Sequence, residues 1–175
     1  MAGMEIERKF LVLDQSFKHE AYAHSSIKQG YICSERGRTV RVRRRDDKAY
    51  LTIKGPSLDG GLSRYEFEKE ITTEEAEQLF CLCEPGVVEK TRWLVKSGAH
   101  TFEVDEFSGD NAGLIMAEVE LGSADEAFVK PAFIGDEVTG DRRYYNSSLR
   151  AHPYKEWHHR PLSKGERART NTHSC

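Results

Sequence analysis

The sequence predicts a mainly β fold with a few helices (α+β), in which eight antiparallel strands close into a barrel whose interior is a charged tunnel. Three observations carry this. Eight runs alternate with period two, nearly every run sets long charged side chains on one face and apolar ones on the other, and Gly, Asp or Ser breaks separate them. An ordinary solvated strand face mixes Thr, Ser, Gln and Lys freely, so a charged row repeated on strand after strand needs another explanation. Closing the sheet with the charged faces inward removes its edges and leaves a polar tunnel holding eight acids and seven bases. Unpaired buried charges cost several kcal/mol, so these must pair with one another or bind ions.

The elements follow in order. Residues 5–12 (EIERKFLV) place Glu5, Glu7 and Lys9 on one face and Ile6 on the other, with Arg8 interrupting the apolar side. A helix is expected in the first loop, near residues 15–23, and a second strand at 27–33. Residues 38–45 set Arg41 and Arg43 opposite Val40 and Val42, and the RRDDKA stretch at 44–49 reads as a tight hairpin into a strand at 49–55, with Thr52 and Lys54 opposite Leu51 and Ile53. The fifth strand, 64–71, sets Arg64, Glu66 and Glu68 against Tyr65 and Phe67. Thr72 or Thr73 followed by acids marks a helix start, and Ala76, Leu79, Phe80 and Cys83 form its apolar stripe. Strands at 87–96 (Lys90, Arg92) and 101–107 (Glu103, Asp105) flank a turn at 96–100. The eighth, 114–122, carries Glu118 and Glu120, and a short helix is expected at 123–129. Residues 160–175 are polar and aperiodic, giving one domain over 1–159 and a disordered tail over 160–175.

Composition narrows the function classes. Charged residues make up 31% of the chain, yet the net charge is −3, which argues against a protein built around a nucleic-acid backbone. No apolar run is long enough to span a bilayer, and the start lacks the apolar core of a secretion signal. Four cysteines without CxxC spacing fit a reducing cytoplasm. His152, His158 and His159 have no ligand spacing and read as surface residues; Trp93 and Trp157 are expected outside the tunnel. Tyr31 faces either the tunnel or a packed surface, and Asp141, Arg142 and Arg143 either close one mouth or form surface salt bridges.

Carboxylates are hard ligands suited to Mg²⁺ or Mn²⁺, whereas Arg and Lys match phosphate oxygens. Both sets in one tunnel point to a substrate with several phosphates and a metal to neutralise them. The chain has no GxxxxGK[ST] loop, so side chains must hold the phosphates. The EIERK start, QGYI at Gln29, RVR at Arg41, TIKG at Thr52, RYEFE at Arg64, KTRW at Lys90, EVDEF at Glu103, GLIMAEVEL at Gly113 and GDEVTGDRRYYN at Gly135 form an ordered set. On these motifs, over roughly residues 4–154, the chain resembles the CYTH, or triphosphate tunnel metalloenzyme, superfamily, in particular its short bacterial inorganic triphosphatases.

The resemblance implies a metal-dependent hydrolase of inorganic triphosphate acting by in-line attack of water. It implies a metal side of Glu5, Glu7, Glu118 and Glu120 with Asp105, and phosphate-binding bases Lys9, Arg41, Arg43, Lys54, Lys90 and Arg92. It implies that Glu66 and Glu68 contribute to the same acidic side and that Lys9, Arg64, Glu66 and Glu68 are the catalytic residues. Alternatives are a class IV-type adenylyl cyclase, a thiamine or nucleoside triphosphatase, and a polyphosphate-binding module without catalysis; the paired acids weigh against the last. The expected partner is a triphosphate-containing small molecule, with no nucleic acid and no membrane, and self-association into a homodimer is left open.

Overall fold

The computed structural model describes residues 3–157, so the expected tail and His158 and His159 lie outside the described residues. Nine strands appear: β1 (Gly3–Val12), β2 (Ala23–Cys33), β3 (Thr39–Arg45), β4 (Lys48–Lys54), β5 (Ser63–Ile71), β6 (Val88–Ser97), β7 (His100–Phe107), β8 (Ile115–Glu120) and β9 (Ile134–Glu137). The order β5-β4-β3-β2-β6-β7-β8-β1, closed by a β1–β5 pairing, makes an eight-stranded barrel with every pair antiparallel. Both expected hairpins are present. Arg45 pairs with Lys48 around Asp46–Asp47, and Ser97 with His100 around Gly98–Ala99, with Asp46 and Gly98 supplying the positive φ that two-residue turns require.

The barrel turns its charged rows inward, so much of its apolar core lies outside the wall. Phe10, Phe102, Val104, Val119 and Leu121 on the outer faces of β1, β7 and β8 are covered by Phe17 of the four-residue helix α1 (Phe17–Glu20), and by Phe133 and Phe128 from the connection after β8. On the far side, Val42 and Ala49 lie under Ala76 and Phe80 of α2 (Thr73–Phe80). Thr72 caps α2 in a capping box with Glu75, as its sequence demands. The third cluster is different. Val88, Phe107 and Met116 share the inward faces of β6, β7 and β8 with Lys90, Asp105 and Glu118, and with Leu149 of α3 (Asn146–Ala151) they seal one end of the tunnel. Tyr144, Tyr154 and Trp157 pack against this plug, and Trp93 meets Phe17 edge-on and His24 at a tilt outside the wall. The outer face of β4 and β5 stays open, with Ile53, Tyr65 and Phe67 exposed.

Three sequence expectations change. The helix expected at 123–129 is a turn followed by extended chain: Glu126 N bonds Ser123 O, but the Glu126 carboxylate is taken by Gly122 N and His100, and Phe128 turns into the aromatic cluster. The first-loop helix shrinks to α1, because β2 begins as early as Ala23 to pair with β6. Helix α2 stops at Phe80, leaving Cys81 and Cys83 beyond it.

Strand β1 parts from β5 after Ile6, and a C-terminal arm fills the seam. β9 pairs with Phe10 and Val12, Val138 N donates to Lys9 O at 2.8 Å, and Lys9 N donates to Thr139 Oγ1 at 2.9 Å. The arm crosses the β4–β5 connection glycine on glycine: Gly140, at φ +81°, abuts the Gly60 carbonyl, and a Cβ on Gly61 would lie 2.5 Å from Gly140 Cα. Gly109 also has positive φ but faces open space. Gly109→Ala should therefore lose only the about 1–2 kcal/mol of a left-handed non-glycine residue. Gly140→Ala should lose clearly more in thermal or urea unfolding, since it must also lift the arm from the seam. Equal losses would contradict this packing.

Candidate active site

The inward rows enclose a cavity of about 730 Å³. Its walls carry Glu5, Glu7 and Lys9 of β1, Arg41 and Arg43 of β3, Lys54 of β4, Arg64, Glu66 and Glu68 of β5, Lys90 and Arg92 of β6, and Glu118 and Glu120 of β8. Every sequence-nominated site residue except Asp105 lines this space. Asp105 sits beneath it, 3% exposed, with one oxygen 2.7 Å from Lys90 Nζ and both engaged by Arg92 at 2.8 and 2.9 Å.

Strand register sets which charges meet. Lys9 stands opposite Glu118, and Arg92 opposite Asp105, so cross-strand neighbours on one face attract. Lys9 accordingly pairs with Glu118 at 3.3 Å, while Lys54 reaches across the interior to Glu5 at 3.0 Å and Arg92 reaches diagonally to Glu103 at 2.7 Å. Burial pulls the Lys9 ammonium down, but Glu118 and Glu7 outweigh it and raise its pKa, so Lys9 stays a cation. Two bases are left over. Arg43 donates from Nε to Gln29 Oε1 at 3.0 Å, Arg41 donates from Nη2 to Thr52 Oγ1 at 3.2 Å, and neither has a carboxylate partner among the described residues. Arg41 Nε is buried with no acceptor among the described residues. Burial, then the charges of Arg41 and Arg92, push Arg43 down to about 9.

The acid side is crowded in the opposite sense. Glu7 pairs in register with Glu120, and Glu103 with Glu118, so like charges stand opposite one another. Burial first, then Glu118 and Glu5, push the Glu7 carboxyl up to about 8, and it hydrogen-bonds Glu118, whose pKa lies well below the usual range despite burial because Lys9, Arg92 and Lys90 surround it. Glu5 and Glu66 form a second such pair. Burial and the Glu5 hydrogen bond raise Glu66 to about 7, while that bond, with Lys54 and Arg64, overcomes burial and holds Glu5 at about 2. Each pair shares one proton, the expected state of two carboxyls that cannot both ionise side by side.

Among the described residues no three His, Cys, Asp or Glu converge to enclose a cation by themselves. Paired carboxylates are nevertheless a suitable donor set for a hard cation that keeps waters and takes its remaining oxygens from a phosphate ligand, which is how Mg²⁺ is usually bound.

The sealed end carries residues that strand periodicity could not reveal. The Tyr145 ring lies 5.3 Å from Lys9 Nζ and 5.7 Å from Arg64 Cζ, and Asn146 Oδ1 accepts from Lys90 Nζ at 2.8 Å. Both belong to the arm and its helix, whose sequence has no period to betray an inward face. Tyr31 lines the cavity and hydrogen-bonds Gln29. Arg143 pairs with Asp141 on the surface, which for these two residues is the salt-bridge reading. No helix among the described residues is long and apolar enough to cross a membrane.

Comparison with known proteins agrees with this architecture. The CYTH domain family matches residues 3–148. The chain is 47% identical over 156 residues to an inorganic triphosphatase of Acetivibrio thermocellus, covering 89% of this chain and 98% of that protein. It is 38% identical over 149 residues to an inorganic triphosphatase of Nitrosomonas europaea, covering 83% and 95%. A crystal structure of the inorganic triphosphatase NE1496 superposes with a TM-score of 0.60 at 33% identity, covering 83% of this chain and 93% of that one. Sequence match and closed charged barrel agree: the chain belongs to the CYTH domain family.

Proposed function

We propose that this protein is a divalent-metal-dependent inorganic triphosphatase, which cleaves tripolyphosphate to pyrophosphate and phosphate inside the barrel. The observation that carries the reading is the mismatch between the walls: Arg41 and Arg43 have no carboxylate partner among the described residues, while carboxyls crowd the other wall, where burial and then Glu118 and Glu5 raise the Glu7 pKa. A triphosphate bound with a divalent ion, Mg²⁺ or Mn²⁺, completes both. Names of relatives sharing 47% and 38% identity support the substrate. We place it in the cytoplasm, the compartment that four cysteines without CxxC spacing fit best.

Arg41, Arg43, Lys54, Lys90 and Arg92 hold the phosphate oxygens, and Lys9 and Arg64 lie toward the phosphoryl group being transferred. Glu5, Glu7, Glu118 and Glu120 would hold the divalent ion, which when bound would supply charge neutralisation at the phosphates. Asp105, bonded to Lys90 and Arg92, is assigned to fixing those bases in place of metal binding. Glu66 and Glu68 orient the water. Its oxygen bonds the terminal phosphorus, the bridging P–O bond breaks, pyrophosphate leaves, and the proton passes to a carboxylate. Lys9, kept cationic, stabilises the charge and takes no proton.

Phosphate release from tripolyphosphate, ATP and thiamine triphosphate, with Mg²⁺ and with Mn²⁺, tests this directly. Tripolyphosphate should be turned over fastest, and chelation should abolish turnover; preference for ATP with cyclic product would favour the cyclase instead. Glu118→Gln keeps the shape but not the charge, and should lower kcat by about 100-fold or more, a loss typical of removing a group that stabilises transition-state charge. Wild-type turnover in that variant would refute the metal-side assignment.

The shared protons give a signed pH dependence. Glu7 and Glu66 titrate near 4.5 when unperturbed and at about 8 and about 7 in the fold, so the folded state binds protons more tightly. Their contribution to stability is full below about pH 4.5 and fades as pH climbs to 7–8. Glu5 and Asp105, at about 2, add no slope above pH 5. The metal-free protein should therefore melt lower at pH 7 than at pH 5, Glu7→Gln should flatten that slope, and Mg²⁺ should raise the midpoint more at pH 7. Identical slopes for wild type and Glu7→Gln would contradict the shared-proton description.

A further inference from the structure

Two neutral amides, Gln29 and Asn146, sit among the charges, and their orientations are fixed by chemistry. Arg43 Nε and Lys90 Nζ only donate, so Gln29 must turn Oε1 to Arg43 at 3.0 Å and Asn146 must turn Oδ1 to Lys90 at 2.8 Å. Gln29 Nε2 then donates to Tyr31 Oη at 2.9 Å and to Asn146 Oδ1 at 3.1 Å. The relay from Arg43 through Gln29 and Asn146 to Lys90 is thus consistent at every atom. Asn146 Oδ1 has accepted two hydrogen bonds and is full. Its Nδ2 carries two N–H groups and has no acceptor among the described residues, although the residue lines the cavity at the sealed end.

We propose that Asn146 is a substrate-contacting residue: Oδ1 positions Lys90 and Gln29, and Nδ2 donates to a phosphate oxygen held between Lys90 and Arg43. The proposal rests on the triphosphatase reading and extends it. It makes the C-terminal arm part of the binding apparatus, with α3 carrying Leu149 into the plug one turn beyond Asn146. A neutral donor suits this place, because the carboxylate of Asp at the same position would still hold Lys90 yet turn a second oxygen toward the phosphate.

Asn146→Asp is the deciding variant, since it is nearly isosteric and strengthens the contact to Lys90. It should raise KM for tripolyphosphate about tenfold or more, the worth of one hydrogen bond to a charged group, with a smaller change in kcat and an unchanged or higher melting midpoint. Asn146→Ala should raise KM and also lower the midpoint, because Gln29 and Lys90 lose their acceptor. A KM for Asn146→Asp equal to that of wild type would overturn the proposal and leave the triphosphatase reading standing, as would a KM defect explained by a lowered midpoint in both variants. A wild-type protein without tripolyphosphatase activity would overturn both.

Discussion

The structure depends on charges that face one another across the inside of a closed barrel and do not quite cancel. Lys54 with Glu5, Lys9 with Glu118, and Lys90 and Arg92 with Asp105 satisfy most of the interior. Burying those pairs contributes little net stability, because desolvation consumes most of the Coulomb gain. What remains is informative: two arginines with no carboxylate partner among the described residues, and two carboxyls, Glu7 and Glu66, whose pKa burial and neighbouring acids raise. On the proposed function, a polyanion on the basic wall and a cation on the acidic one would resolve this unmatched charge.

Stability has to come from elsewhere, and the three apolar clusters supply it. Two lie outside the wall, where phenylalanines from α1, α2 and the long connection after β8 cover the outward faces; each such side chain fully buried is worth about 1.5–3 kcal/mol. The third closes one end from within, under Leu149. Apart from that plug, the site and the core occupy opposite faces of the same strands. Variants that empty the tunnel of charge can leave the outer packing untouched, so the chemistry can be dissected without unfolding the protein.

Much of this was legible in the sequence, and the reason is the strictness of period two. A strand such as TVRVRRR cannot bury Val42 under α2 without sending Arg41 and Arg43 to the other side, so the inward rows follow from alternation alone. The hairpins followed from Asp46 and Gly98. Elsewhere local pattern misled. SADEAFV after β8 has helix-like spacing, but Phe128 gains more by packing on Phe10 and Phe102, and Glu126 by bonding His100. The C-terminal arm was legible as the GDEVTGDRRYYN motif but its contacts were not, for a related reason: Gly140, Tyr145 and Asn146 acquire their roles only by docking onto residues far away in the chain, 56 positions for Asn146 with Lys90 and 117 for Asn146 with Gln29. Asp105 shows the limit of reading faces, since it lies on the inward side yet is covered by the two bases it binds.

The most direct test of the two-wall account is a crystal structure of the Glu118→Gln or wild-type chain soaked with tripolyphosphate and Mn²⁺, with the manganese located by anomalous scattering. The account predicts phosphate oxygens within hydrogen-bonding distance of Arg41 and Arg43, and, in the wild type, manganese between those phosphates and the Glu7 and Glu118 carboxylates. Tripolyphosphate bound outside the barrel, or manganese in the wild type on the basic wall and away from Glu7 and Glu118, would contradict it.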